Sequence, residues 1–451
     1  MTLMSLDPII VKRGVVMRKY SSLIDMVGSQ DLGFVAFRYK GIEKTYGQFL
    51  DDVRSFNPPE GDVVGLFLSN DIETITAFFA MAGKRQLVIL NADDDEEVLK
   101  RQIIKTHVSV LYGDAERAAE LDPYLEKDFH TTDTDILLFT SGTTESARAV
   151  VLTESNLCAS AFNGGSRLPL SATDVMLSVL PLSHVFGLVC SLLWPLSFGC
   201  TVCLGGGLRT FFMDFRTYKP TVASLVPQMA RFLAAKKLFN PELKLVLIGA
   251  GVCDDWTLGM IKDMGIRVSY GYGLTESSSG IALSIGDEPR AMSICPDYSI
   301  SIAEDGEILV QCDTTLMKCY YDEPEATERV LKGNVLHTGD IGRVEGDILY
   351  ITGRKKDIMV FSDGSKIFLP EYEMRLGEIL GEGVDFAVVQ GKRDEVVLVI
   401  RCENSVQKMV DVFNATVARS HQIERIVYVQ ESLPRTMTGK VKRYDLQGIV
   451  G

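Results

Sequence analysis

Between residues 136 and 269 the chain repeats one pattern: a short run of wholly apolar residues, then a longer stretch in which apolar residues recur every three or four positions. The apolar runs are Ile136–Phe139, Ala149–Leu152, 176–180, Thr201–Leu204, 222–226, Leu245–Ile248 and 267–269, and 227–235 and 255–264 have helical spacing. A strand without a polar face must be covered on both sides, and helices between strands supply that cover. The pattern therefore predicts an α/β fold: a parallel-rich sheet with flanking helices. Sheets of this kind bind ligands in loops at the carboxyl ends of their strands, where this chain places its glycine- and hydroxyl-rich segments.

A chain of 451 residues exceeds what one hydrophobic core usually holds, so at least two packing units are expected. From about Gly280 the strands become shorter and alternating, as in 307–310 and 348–351. A last small α+β unit reads as strands 386–389 and Val396–Arg401, helix 405–419 and strand 425–429. The polar run Gly353-Arg354-Lys355-Lys356-Asp357 is the candidate boundary, giving a large domain over 1–353 and a small one over 354–451. The twenty uncharged residues 185–204 could span a bilayer, but Gly187, Pro195 and Gly199 interrupt them. A buried helix followed by a buried strand is expected instead, and no transmembrane segment.

No apolar segment with a cleavage site opens the sequence, and the nine cysteines are irregularly spaced. Free thiols in a reducing cytoplasm are expected. Cys200 and Cys203 lack the second pair of a zinc site and read as buried strand residues. Lys plus Arg is 46 against 60 Asp plus Glu, a formal charge of −14. That excess of acid argues against nucleic acid or anionic membranes as partners, while leaving room for a local phosphate site.

Four segments carry candidate chemistry. In ILLFTSGTTESARAV, Thr140, Ser141, Gly142, Thr143 and Thr144 follow a strand; such a loop either wraps phosphate oxygens with N–H and O–H donors or is a solvated turn. It is not a Walker loop, because no GK[ST] follows. In SYGYGLTESSSG, Tyr270 and Tyr272 alternate with Gly271 and Gly273 before Thr275 and Glu276. The aromatics can stack on a purine, and the hydroxyl and carboxylate suit phosphate and Mg2+. In HTGDIGRVEGDILYITGR, Asp340 can accept ribose hydroxyls and Arg354 ends the next hairpin; an ordinary surface hairpin is the plain alternative. In LPRTMTGKVKR, Arg435, Lys440, Lys442 and Arg443 form either a solvated tail or a loop delivering a cation to an anionic substrate.

The ordered set TSGTT, YGYGLTE, HTGD, GRKKD and PRTMTGK resembles the adenylate-forming superfamily of acyl-CoA synthetases, peptide-synthetase adenylation domains and luciferases. The resemblance runs from Phe139 to Leu446, with a weaker match at 61–70 and 78–91. It implies a large N-terminal domain with a small barrel-like part and a small mobile C-terminal domain. It also implies ATP, Mg2+ and coenzyme A, or a carrier protein's phosphopantetheine arm, as reaction components. A small carboxylic acid would attack the α-phosphate to give an acyl-adenylate, and a thiol would then displace AMP. Under the resemblance, Thr140 to Thr144 hold the outer phosphates, with Arg148 as a nearby cation. Tyr272 packs on adenine opposite Gly249, Ala250 and Gly251. Thr275 binds the α-phosphate and Glu276 the Mg2+, Asp340 and Arg354 take the ribose, and Lys440 bridges carboxylate and α-phosphate. Lys356 is the hinge, Gly364 lines the pantetheine channel, and His184 in PLSHVFG is either a gate beside the acyl pocket or a satisfied core histidine.

Three departures from the family pattern stand out. The loop after TSGTT has Glu145, Ala147, Arg148 and Ala149 in place of Gly-x-Pro-Lys-Gly; Arg148 keeps a cation, and Glu145 should repel polyphosphate unless it turns outward. Cys312 and Cys319 replace two glycines, so altered turns are expected there. The N-terminal part is compressed between Gly113 and Phe139. The leading expectation is an AMP-forming acyl-CoA ligase acting on a fatty or aromatic acid, given the apolar residues around His184. A carrier-loading adenylation enzyme and a catalytically weak nucleotide-binding homologue are the alternatives.

Overall fold

Five of the seven apolar runs pair side by side as the sequence predicts, whereas Ile136–Phe139 and Ala149–Leu152 pair antiparallel with each other in a second sheet. The computed structural model describes residues 9–12, 15–140, 147–207, 210–251, 253–362, 366–381, 384–392, 395–435 and 441–450. Strands Val35–Tyr39, Thr201–Leu204, Val175–Ser178, Val222–Leu225, Leu245–Ile248 and Arg267–Leu274 lie side by side in parallel. Their inward-facing residues are buried on both faces, with Leu177, Val202, Ala223 and Val246 fully inaccessible. From Ser279–Ser284 onward the same 14-stranded sheet continues antiparallel through Met292–Ile294, Ile348–Arg354, Val335–Glu345 and Glu307–Gln311. The change of texture near Gly280 is thus the point where the pairing reverses direction.

A second, six-stranded sheet holds the parallel strands Val63–Phe67, Gln86–Leu90, Val110–Tyr112 and Ile136–Phe139, with Ala149–Leu152 antiparallel at its side. Helix Ile72–Met81 is buried on nearly all sides, and its Phe79 packs edge-on against Phe49, itself edge-on to Phe37. The apolar run 185–204 is a helical stretch over 185–196 followed by strand Thr201–Leu204. Among the described residues no helix is long and apolar enough to cross a membrane. Cys200 and Cys203 are both fully buried.

The last unit is a three-stranded sheet of Asp385–Gln390, Val396–Arg401 and Ile423–Tyr428. Its two apolar clusters draw only on residues from Met359 onward. Helix 405–419 proves shorter, Gln407–Asn414 with a separate turn at Arg419–His421. The Asn414 side chain ends it, accepting from the Ile423 N–H at 2.8 Å and donating to the Ile423 carbonyl at 2.9 Å. Strand bonding thereby replaces the next helical turn.

Candidate functional site

Strand Arg267–Leu274 runs five residues beyond its predicted end at Ser269. Its first half pairs in parallel with Leu245–Ile248 and its second half antiparallel with Ser279–Ser284, so the YGYG segment lies where the sheet changes direction. Tyr272 is buried, and its hydroxyl donates to Asp340 Oδ2 at 2.8 Å. Asp340 sits directly across a hairpin from Arg354, whose Nε meets Oδ1 at 2.9 Å. The Asp340 N–H donates to Thr338 Oγ1 at 3.1 Å. Burial, and then the Asp340 charge, push the Tyr272 hydroxyl well above its usual pKa, so it stays a donor. Burial pulls the Arg354 guanidinium down, but Asp340 and Asp357 more than offset it. Three residues far apart in sequence thus form one polar cluster with a fixed proton inventory.

The segment Gly249-Ala250-Gly251 leaves the end of strand Leu245–Ile248. Ala250 has φ +62°, a left-handed conformation that costs a non-glycine residue about 1–2 kcal/mol. A side chain at Gly249 would meet the Phe186 ring at 2.9 Å, and Tyr270 donates its hydroxyl to the Gly251 carbonyl. The PLSHVFG and GAG segments therefore pack against each other. After Thr275–Ser277 the chain turns sharply through Ser278 (φ +55°) and Ser279 (φ +103°), returning antiparallel to the YGYG strand.

Thr140 and Arg148 close the base of the TSGTT loop: the Thr140 N–H donates to the Arg148 carbonyl at 2.9 Å, and the Arg148 N–H to Thr140 Oγ1 at 3.2 Å. Ser141, Gly142, Thr143, Thr144 and Glu145 lie outside the described residues. The Arg148 side chain is held by its neighbours. Its Nε pairs with Glu323 Oε2 at 3.1 Å and its guanidinium lies over the Tyr320 ring. Lys105 pairs with the other Glu323 oxygen, and the Tyr320 hydroxyl donates to Glu276 Oε1 at 2.6 Å. A polar chain of Lys105, Glu323, Arg148, Tyr320 and Glu276 thus joins the loop base to the Thr275–Glu276 turn. Lys105, Tyr320 and Glu323 were missed in the sequence; the only hint was the run YYDEP ahead of helix Pro324–Val330. Cys319 begins the short strand that pairs with Ala149–Leu152 and so sets Tyr320 in place.

His184 precedes a helical stretch whose middle, Leu188–Leu193, is π-helical. A π turn would bond the Cys190 carbonyl to the N–H of residue 195, which is proline and has none. Ser224 Oγ donates to that carbonyl instead, at 3.0 Å. Burial pulls the His184 imidazole below its usual pKa, and its Nε2 is buried without a partner among the described residues.

Lys356 lies in the turn Lys355–Asp357 that follows strand Ile348–Arg354. Gly364 and Lys440 lie outside the described residues. The ends of the PRTMTGK loop are held: Arg435 and Val441 form an antiparallel bridge. Arg435 pairs with Asp385 at 2.6 Å, and Arg443 with Glu373 and, at 3.7 Å, Asp357. Two cations of the basic run are thus structural anchors.

A family model described as AMP-binding enzyme matches residues 29–321. The 2-succinylbenzoate–CoA ligase of Geobacillus sp. (strain WCH70) is 24% identical, over 87% of this chain and 88% of that protein. The indoleacetate–CoA ligase of Aromatoleum aromaticum (strain DSM 19018 / LMG 30748 / EbN1) is 29% identical, over 70% of this chain and 67% of that protein. The solved O-succinylbenzoate coenzyme A synthetase of Bacillus subtilis, in complex with ATP and magnesium ion, matches with a TM-score of 0.79 at 20% identity. That match covers 94% of this chain and 98% of the other.

Proposed function

The chain belongs to the AMP-binding enzyme family, and on that premise we propose that it is an AMP-forming acid–CoA ligase. A carboxylate oxygen attacks the α-phosphorus of ATP, pyrophosphate leaves, and the thiol sulfur of coenzyme A then attacks the acyl carbon, expelling AMP. The observation that carries this reading is the cluster of Tyr272, Asp340 and Arg354 beside the GAG turn. It offers an aromatic ring for the base and, in Asp340, a carboxylate for the ribose hydroxyls, held in position by Arg354.

Thr275 faces the α-phosphate in this reading, and Thr140 to Thr144 the outer phosphates. Glu276 would hold Mg2+: its Oε1 is taken by Tyr320, while among the described residues Oε2 has no partner. One carboxylate combined with substrate phosphates is the ligand set Mg2+ prefers, and the ion would neutralise charge on the departing pyrophosphate. Lys440 bridges the carboxylate and the α-phosphate, where it stabilises charge that builds in the transition state. Residues 1–353 form the nucleotide-binding domain, with its antiparallel strands as the barrel-like part. Residues 354–451 form a lid that turns about Lys356, exchanging Lys440 for the Gly364 loop between half-reactions. The separate apolar clusters after Met359 support that division.

The test is carboxylate-dependent ATP–pyrophosphate exchange over a panel of acids, repeated with Lys440→Ala. Exchange that requires an acid and is lost in the variant, with thioester formed on adding coenzyme A, is expected. Absence of exchange with every acid rejects the reading, and thioester formed only on a carrier protein rejects coenzyme A as acceptor.

A further inference from the structure

The strand that carries Asp340 is out of step with its neighbour. Glu307–Gln311 pairs antiparallel with Val335–Glu345, and Leu309 faces His337 while Glu307 faces Ile341. Thr338, Gly339 and Asp340 therefore bulge opposite Ile308 alone. A bulge disrupts the ladder and re-aims the side chains it carries, so this one bears on where the Asp340 carboxylate points. Gly339 has φ +71°, the left-handed region that glycine enters without steric cost. A Cβ there would meet nothing within 4 Å, so packing at that residue does not hold the turn.

Side chains hold it instead. Thr338 Oγ1 donates to the Ile308 carbonyl at 2.8 Å and accepts the Asp340 N–H at 3.1 Å. Glu307 Oε1 accepts the Gly339 N–H at 2.8 Å, one residue before Asp340. Its Oε2 meets His337 Nδ1 at 3.0 Å and Lys355 Nζ at 2.9 Å. Glu307 is only 7% exposed, and a buried carboxylate is stable only when its charge is paired and its oxygens are hydrogen-bonded. Lys355 supplies the counter-charge and is itself braced by Asp305 at 2.5 Å. With Oε2 fixed by two partners, Oε1 is left to the Gly339 N–H. The same carboxylate thus touches the residue before Asp340 and the residue after Arg354, the partner of Asp340 across the hairpin.

We propose that Glu307 is a positioning residue for the ribose site, its Oε1 setting the Gly339 turn that aims the Asp340 carboxylate at the ribose hydroxyls. The role rests on the reading of Asp340 as the ribose carboxylate. Reach, rather than charge, is what Glu307 contributes to the turn. The Gly339 N–H needs an acceptor oxygen at the end of a side chain of this length, whether that end is an acid or an amide.

Calorimetric binding of AMP and of its 2′,3′-dideoxy analogue to the full chain separates aim from general damage, since the analogue has no ribose hydroxyl to donate to Asp340. Glu307→Gln keeps the reach and an acceptor oxygen. Glu307→Asp keeps the charge but falls one methylene short, and Glu307→Met fills the space with no acceptor. Hydrogen bonds to a charged acceptor are worth about tenfold or more in affinity, so the wild type should prefer AMP by about that factor. Glu307→Gln should hold the preference, whereas Glu307→Asp and Glu307→Met should lose most of it. All three should bind the analogue within about twofold of the wild type, the scatter of independent sites. A preference kept in Glu307→Asp or Glu307→Met, or lost in Glu307→Gln, overturns the proposal. So does an equal weakening of both nucleotides, which marks a purely structural role. A wild type that binds AMP without preferring it over the analogue rejects Asp340 as the ribose carboxylate, and this role with it.

Discussion

The Tyr272–Asp340 hydrogen bond is open to a double-mutant cycle with Tyr272→Phe and Asp340→Asn. Tyr272 and Asp340 are 9% and 6% exposed, and their oxygens are 2.8 Å apart. A buried hydrogen bond to a charged group contributes about 1.5–3 kcal/mol, and one between neutral groups about 0.5–1.5 kcal/mol. Phenylalanine fills the same ring volume, so the loss is confined to the hydroxyl. Removing it beside the carboxylate should cost about 2 kcal/mol, and beside the isosteric amide about 1 kcal/mol. The expected coupling is therefore about 1 kcal/mol, above the ~0.3–0.5 kcal/mol scatter of independent sites. Urea unfolding followed by tryptophan fluorescence reads it. The chain's two tryptophans are Trp194, in the apolar cluster that includes Tyr272, and Trp256, on helix Asp255–Asp263. AMP affinity of the same four proteins supplies an independent readout. Single-variant losses that add within that scatter would refute the argued contact, and with it the reading of Tyr272, Asp340 and Arg354 as one polar cluster.

Three further outcomes are expected. Gly273→Ala places a Cβ 1.8 Å from the Ser279 carbonyl oxygen, a backbone clash that should break the pairing of Arg267–Leu274 with Ser279–Ser284; soluble yield and Tm should fall sharply, whereas Gly280→Ala keeps both. Glu323→Gln releases Arg148 from an ion pair that is partly exposed, so stability should fall by less than about 1 kcal/mol while the KM for ATP drops; an unchanged KM places Arg148 away from the phosphates. Burial pushes the Glu307 carboxyl up, but Lys355, His337 and the Gly339 N–H outweigh it and hold its pKa below the usual value. Because the folded value is depressed, its contribution is present above the unfolded carboxylate range and is lost as pH falls through the folded value. Urea midpoints of wild type and Glu307→Gln should accordingly converge at acid pH and diverge towards neutrality.

The buried strands were legible because burial on both faces leaves Ile136–Phe139 in one sheet and Leu245–Ile248 in the other without a polar residue, a pattern that local sequence carries in full. The end of strand Arg267–Leu274 was not, because glycines and tyrosines have no periodicity to read; the antiparallel partner Ser279–Ser284 holds it extended. In the site, residues within one motif were found together with their neighbours, as Asp340 was with Arg354 across one hairpin. The contacts between motifs were not legible, since nothing in the spacing brings Tyr320 to Glu276 or Glu323 to Arg148.

That gap bears on the altered loop. With Ala147-Arg148-Ala149 where the family pattern has Pro-Lys-Gly, the sequence alone suggests a lysine replaced by another cation. In the fold, Glu323 shares its two oxygens between Arg148 and Lys105, and the guanidinium also stacks on Tyr320, which in turn holds Glu276. A planar guanidinium can make the ion pair and the ring contact at once, whereas an ammonium cannot stack in that way. The substitution therefore couples the loop base to the Glu276 turn, and Arg148→Lys should disturb the position of Glu276 even though the charge is kept. A higher Mg2+ requirement for exchange in Arg148→Lys, restored by no amount of ATP, is the consequence that separates this coupling from simple loss of a phosphate contact.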